Sequence, residues 1–94
     1  MTYISGPMTG IKNFNFPAFN KAERFLRKRG DKVFNPACHS IEWGFDRADF
    51  LRFDIQALLL CDKIHLLKGW EKSEGANLEK QIADALGIEV EYQS

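Results

Sequence analysis

A glutamate stands where an apolar side chain belongs. Between Gly75 and Leu86 the apolar positions Ala76, Ile82, Ala83 and Leu86 follow helical spacing, and the position three after Ala76 on the same stripe is Glu79. A carboxylate drawn out of water needs a compensating partner or a task, so Glu79 is the first candidate for chemistry; the plainer alternative is a glutamate tolerated at the edge of a core. Its place near the start of the helix favours an anion through the macrodipole. At that same start Ser73 and Gly75 put a hydroxyl and a bare backbone beside free N–H groups, which suits a phosphate or carboxylate, although Ser73 also reads as a plain N-cap. Asp54 is a second carboxylate of interest. At about 100° per residue it lies about 60° from Leu51 on a helical wheel, flanking an apolar stripe, where an ordinary surface aspartate is equally at home.

Gly6-Pro7-Met8-Thr9-Gly10 is a tight, glycine-containing turn that lets a ligand approach the backbone. Neither a G-x-G-x-x-G fingerprint nor a G-x-x-x-x-G-K-[ST] loop occurs, so dinucleotide and Walker-type ATP binding are unsupported. Trp43 and Phe45 offer flat surfaces on which a base can stack, or lids over a small core. His39 and His65 have no partner at metal-ligand spacing, and no metal or cofactor is expected. Cys61 sits in an apolar run as inert core, whereas Cys38 beside His39 is the more reactive thiol.

The elements that must carry these residues alternate regularly. Thr2 to Ser5 reads as a strand cut off by Gly6-Pro7. A helix runs from Pro17, with Phe19, Ala22, Phe25 and Leu26 at helical spacing and Gly30 as its stop. Asp31 to Phe34 is a second strand, followed by an irregular stretch through Gly44. A second helix carries Ala48, Leu51, Ile55, Leu58 and Leu59 on one face, with Asp46 or Asp49 as N-cap. Lys63 to Leu67 is a third strand, Gly75 to Leu86 a third helix stopped by Gly87, and Ile88 to Tyr92 a fourth strand. The order β-α-β-α-β-α-β predicts a single α/β domain over residues 1–94. Its form would be a flavodoxin- or Rossmann-like three-layer sandwich with a mostly parallel sheet of four to five strands. Ligands in such sheets bind at the carboxyl ends of the strands, where the loops after Ser5, Phe34 and Leu67 lie.

Composition narrows the function classes. The 94 residues are 45% hydrophobic and 28% charged, a globular composition, and 13 basic against 13 acidic residues cancel. With no net charge there is no long-range field to recruit a nucleic acid polymer or an anionic membrane. The longest apolar run, Ala57 to Cys61, is far short of the roughly 20 residues of a membrane span. Met1 to Ser5 lacks the pattern of a secretory leader, which predicts a cytoplasmic protein. Eight Phe and two Trp are a large apolar stock for so small a core, which predicts a homodimer or larger assembly. Phe25, Leu26, Phe50 and Phe53 are the expected contact residues.

Three ordered blocks now carry a resemblance: Tyr3-Ile4-Ser5-Gly6-Pro7, then Asp54 eight positions ahead of Asp62, then Ser73-x-Gly75-x-x-x-Glu79. Together they resemble the nucleoside 2-deoxyribosyltransferase superfamily. Gly69-Trp70-x-x-Ser73-x-Gly75-Ala76-x-x-Glu79 with Ala85-Leu86-Gly87 is similar to a short phage and bacterial subgroup of it. The resemblance implies cleavage or transfer at the N-glycosidic bond of a deoxyribonucleoside or its 5′-monophosphate. Glu79 would be the nucleophile at C1′, Asp54 the residue serving the leaving base, and Tyr3 the hydroxyl near the nucleophile. Ser5, Gly6, Pro7, Met8, Ser73 and Gly75 would contact sugar or phosphate, with Trp43 as a base-stacking candidate. Relatives that hydrolyse nucleotides carry a basic residue in the first turn, where this chain has Thr9, so nucleoside and nucleotide stay open. Other readings are a module that binds a nucleotide without turning it over, a hydrolase of an NAD-like ligand, and a pure interaction protein.

Overall fold

The structure, a computed structural model, describes residues 1–38, 44 and 46–94, and of Cys38 and Arg47 the backbone only. The expectations for His39, Trp43 and Phe45, and for the Cys38 thiol, lie outside the described residues. In chain order the elements are β1 (Thr2–Ser5), α1 (Phe16–Lys28), β2 (Val33–Phe34), α2 (Arg47–Leu59), β3 (Lys63–Leu66), α3 (Glu74–Leu86) and β4 (Glu89–Tyr92). Single 3₁₀ turns at Lys12–Asn15, Pro36–Cys38 and Trp70–Lys72 follow β1, β2 and β3.

Local chemistry explains the helix ends. Asp46, not Asp49, is the N-cap of α2: its Oδ1 accepts from the Asp49 N–H at 2.9 Å, while Asp49 Oδ2 accepts from the Asp46 N–H at 3.1 Å. This reciprocal pair satisfies two of the orphan donors at the start of the helix. Ser73 caps α3, its Oγ accepting from the Ala76 N–H at 3.1 Å. Gly87 ends α3 at φ 73°, a left-handed conformation that costs glycine little.

All strand pairs are parallel and the sheet order is β2-β1-β3-β4. The first connection steps one way along the sheet and the next two step the other way. Connections of constant hand must then put α1 on one face and α2 with α3 on the other. The core divides in that way. Ile4 and Leu67 pack with Phe19, Ala22 and Leu26 of α1, whereas Tyr3, Ile64 and Leu66 pack with Leu58 of α2 and Ala83 of α3. Every residue of β1 is buried, as expected of a central parallel strand covered on both faces. The result is a three-layer α/β sandwich with four strands. Among the described residues no helix is long and apolar enough to cross a membrane.

Over β3 and β4 the layer on the α1 side is built of charges. His65, 3% exposed, holds Nδ1 2.6 Å from Glu91 Oε2, and Arg29 forks onto the same carboxylate at 2.8 and 3.0 Å. The Arg29 guanidinium, with help from His65, pulls the Glu91 carboxyl down to about 2. His65 is thus a structural residue, as its place in a buried strand suggests.

Three apolar expectations need correction. Leu26 is fully buried against the sheet and cannot be a contact residue, and Leu59 and Leu86 are 53% and 58% exposed. Helical phase sets the direction of a side chain, not whether a neighbour reaches far enough to cover it.

Candidate functional site

Order β2-β1-β3-β4 has its switch point between β1 and β3, where the loop leaving β1 turns to the α1 face and the loop leaving β3 turns to the α3 face. A crevice opens there between the diverging loops, as general for doubly wound sheets. A cleft of about 440 Å³ occupies it. One wall is the loop after β1, with Gly6, Pro7, Met8 and Thr9; the second is the start of α3, with Lys72, Ser73 and Gly75; the third is α2, with Phe50, Leu51 and Asp54. Gly6 is required for the close approach of two of these loops, since a Cβ there would lie 2.8 Å from Leu67 Cβ.

Glu79 lies at the floor of the cleft, 7% exposed, and the sheet explains why. Side chains two apart on a strand share a face, so Tyr3 and Ser5 both point at α3 from β1. Ser5 Oγ donates to Glu79 Oε1 at 2.8 Å, and the Tyr3 hydroxyl donates to Glu79 Oε2. Both carboxylate oxygens are thereby fixed. The Tyr3 ring is clamped in turn by parallel stacking on Phe34, with centroids 5.6 Å apart.

Opposing effects act on the charge of this carboxylate. Burial favours the neutral acid, while the two donated hydrogen bonds favour the anion. Burial wins, and the Glu79 carboxyl is pushed up to about 7. Asp54, half-buried on the facing wall, is pushed up to about 8, first by burial and then by the Glu79 charge. Burial and the two nearby carboxylates hold the Tyr3 phenol well above its ordinary range, so it stays a donor. Both carboxyls are thus raised toward neutral pH, and the protons leave the pair in two coupled steps that belong to the pair rather than to either residue.

This has a consequence for stability. The native state holds the Glu79 proton more tightly than the unfolded chain, whose ordinary value is 4.5, so stability falls as pH rises from about 4.5 through about 7. Glu79→Gln cannot lose that proton. Relative to the wild type it should be more stable by about 2–3 kcal/mol at pH 8 and by nearly nothing at pH 4, as read from thermal melts at both values. An equal gap at the two values would show that Glu79 is not desolvated.

Of the residues singled out in the sequence, the structure brings Tyr3, Ser5, Gly6, Pro7, Met8, Asp54, Ser73, Gly75 and Glu79 to this one cleft. Phe19, Pro36, Phe50, Lys72 and Glu74 line it as well and were not anticipated as ligand contacts. Phe19 carried only a helical apolar signal, which points equally to core, and Phe50 read as a contact residue of an assembly. Lys72 and Glu74 flank Ser73 in sequence, and that adjacency is the signal that could have found them.

A hollow of the same volume lies at the amino ends of the strands, among Thr2, Asp31, Asp62, Lys63 and Glu89. Its charges neutralise one another, the Met1 amine with Asp62 at 3.0 Å and Lys63 with Glu89 at 3.2 Å. The carboxyl-end cleft differs from it in holding a buried carboxylate, Glu79. Among the described residues no group of three His, Cys, Asp or Glu is arranged to hold a metal ion.

A family model described as "Domain of unknown function (DUF4406)" matches residues 1–92. No curated protein and no solved structure matches the chain significantly.

Proposed function

We propose that the chain, which belongs to the DUF4406 family, breaks the N-glycosidic bond of a deoxyribonucleoside or its 5′-monophosphate through Glu79. The observation that carries this reading is a buried glutamate at the floor of a cleft, its two oxygens held by Tyr3 and Ser5, with a second carboxyl, Asp54, lining the same cleft. The resemblance of Tyr3-Ile4-Ser5-Gly6-Pro7, Asp54 and Ser73-x-Gly75-x-x-x-Glu79 to the nucleoside 2-deoxyribosyltransferase superfamily supports the same roles.

In the first step a Glu79 oxygen attacks C1′, the C1′–N bond breaks with its electron pair going to the base, and Asp54 delivers the proton the departing base needs. Water or a second base then attacks C1′, the C1′–oxygen bond to Glu79 breaks to restore its carboxylate, and Asp54 takes up the proton of the incoming group, giving the free sugar or a new nucleoside. Two carboxyl groups in one cleft, both raised toward neutral pH, can divide these tasks, one as anion and one as acid. The Tyr3 and Ser5 donors keep the carboxylate oriented, and the Gly6–Thr9 loop with Ser73 and Gly75 forms the walls for sugar and any phosphate. The direct test is release of free base from the common deoxynucleosides and their monophosphates, followed by chromatography. No release from any of them would move the reading to a nucleotide-binding module.

We also propose that the protein works as a homodimer or larger assembly. Exposed apolar side chains are plentiful for its size: Phe25, Phe53, Leu59, Leu60 and Leu86 are all at least 36% exposed. Phe25 and Phe53 stand on helices covering opposite faces of the sheet, so the Leu59–Leu60 end of α2 is the more continuous contact. Light scattering at micromolar concentration should give at least twice the 10.8 kDa chain mass, and a monomer alone would contradict the assembly.

A further inference from the structure

Beside the cleft, one asparagine side chain ties down the backbone that follows each of β1, β2 and β3. After β1, Asn15 Nδ2 donates to the Pro7 carbonyl at 2.9 Å. After β2, Asn35, 8% exposed, accepts from the Ala37 N–H at 2.9 Å and donates to Asn20 Oδ1 at 3.0 Å and Glu23 Oε1 at 2.9 Å on α1. After β3, Asn77 Nδ2 faces the carbonyls of Ser73, Glu71 and Trp70 at 2.8, 2.9 and 3.4 Å. None of the three asparagines lines the cleft, yet each holds residues that do: Pro7, Pro36 and the Lys72–Ser73 rim.

We infer that Asn15, Asn35 and Asn77 are positioning residues that hold the loop after β1, the first residues after β2 and the turn before α3 in a ligand-ready arrangement before a ligand arrives. The inference rests on the glycosidic reading for the nature of the ligand, and on the hydrogen bonds alone for the pinning. An asparagine suits the task because its amide both donates and accepts, and can satisfy irregular backbone that no ladder or helix reaches. Asn15 does a second job, since it sits at φ 61° as the last of three consecutive left-handed residues, Asn13, Phe14 and Asn15. Asparagine tolerates that region better than most side chains. A loop left to find its bound shape would be ordered only at the moment of binding, which weakens affinity without touching the reacting atoms.

Two substitutions separate pinning from general stability. Asn77→Ala improves helix propensity and removes only the clamp, and Asn15→Gly keeps the left-handed backbone while removing the amide. Each should raise KM for a deoxynucleoside about tenfold with kcat within about threefold. Amide hydrogen exchange should speed up at least about tenfold at Lys72 and Ser73 in Asn77→Ala, and at Ile11 and Phe14 in Asn15→Gly, with β3 unaffected. These four N–H groups are bonded within the pinned segments, to Gly69, Trp70, Met8 and Ile11 carbonyls respectively. Unchanged exchange, uniform acceleration across the chain, or local acceleration with KM unchanged would each overturn the inference. A wild type that releases no base from any deoxynucleoside or deoxynucleoside monophosphate overturns the glycosidic reading instead, and the exchange measurements then decide the pinning by themselves.

Discussion

Replacing Glu79 by alanine is expected to lower base release at least about 10³-fold while the protein stays folded. The rate follows from the geometry: the substitution removes the group proposed to attack C1′, and the facing carboxyl, Asp54, holds its proton near neutral pH. Ser5 and Tyr3 lose their common acceptor, and two buried hydroxyls without partners cost about 1–3 kcal/mol each. That loss is offset in part because an unfavourably buried carboxyl leaves with the side chain. Glu79→Gln keeps acceptors and donors near both hydroxyls and should be just as inactive, so the pair of variants separates chemistry from packing. Near-normal release by either, measured in a coupled absorbance assay at pH 7, would reject Glu79 as the nucleophile.

The second large effect belongs to Asp54. Its proposed role is to hand a proton to the departing base, so Asp54→Asn should slow leaving-group departure about 10²-fold or more while deoxynucleoside binding changes by less than about tenfold. The two raised carboxyls also set the pH dependence. Activity needs Glu79 ionised and Asp54 protonated, which gives a bell with limbs near 7 and 8 that belong to the pair rather than to either residue. Asp54→Asn should erase the alkaline limb. Calorimetry and a pH profile read both halves. A release rate unchanged by the substitution, or a loss of binding with kcat preserved, would show that Asp54 belongs to a binding surface and not to the reaction.

Much of this protein was legible in one dimension. Strand and helix order, a cap at Asp46 or Asp49, the stop at Gly87 and the glutamate on an apolar stripe all depend on residues close to each other in sequence. Periodicity and capping chemistry report such neighbourhoods faithfully. The α/β class followed from the alternation, and the general rule for parallel sheets placed the cleft at the carboxyl ends before any side chain was located. Where local phase was asked for more than direction it failed, as at Leu26, Leu59 and Leu86.

Only the tertiary structure decided what Glu79 is bonded to and which charge faces it. Tyr3 and Ser5 are 76 and 74 positions away from it, and they meet it because β1 lies in the middle of the sheet beneath α3. By its place beside a stripe Asp54 could be a surface aspartate or a site carboxyl, and the packing of α2 sets it in the cleft that Glu79 lines. The three asparagines gave no signal at all, since an asparagine in a loop or a first helical turn is ordinary. Proton affinity and loop pinning depend on how much water is excluded and which groups converge from different strands. The sequence by itself sets the direction of each side chain along its own element, and strand order together with burial decides what lies at the other end of it.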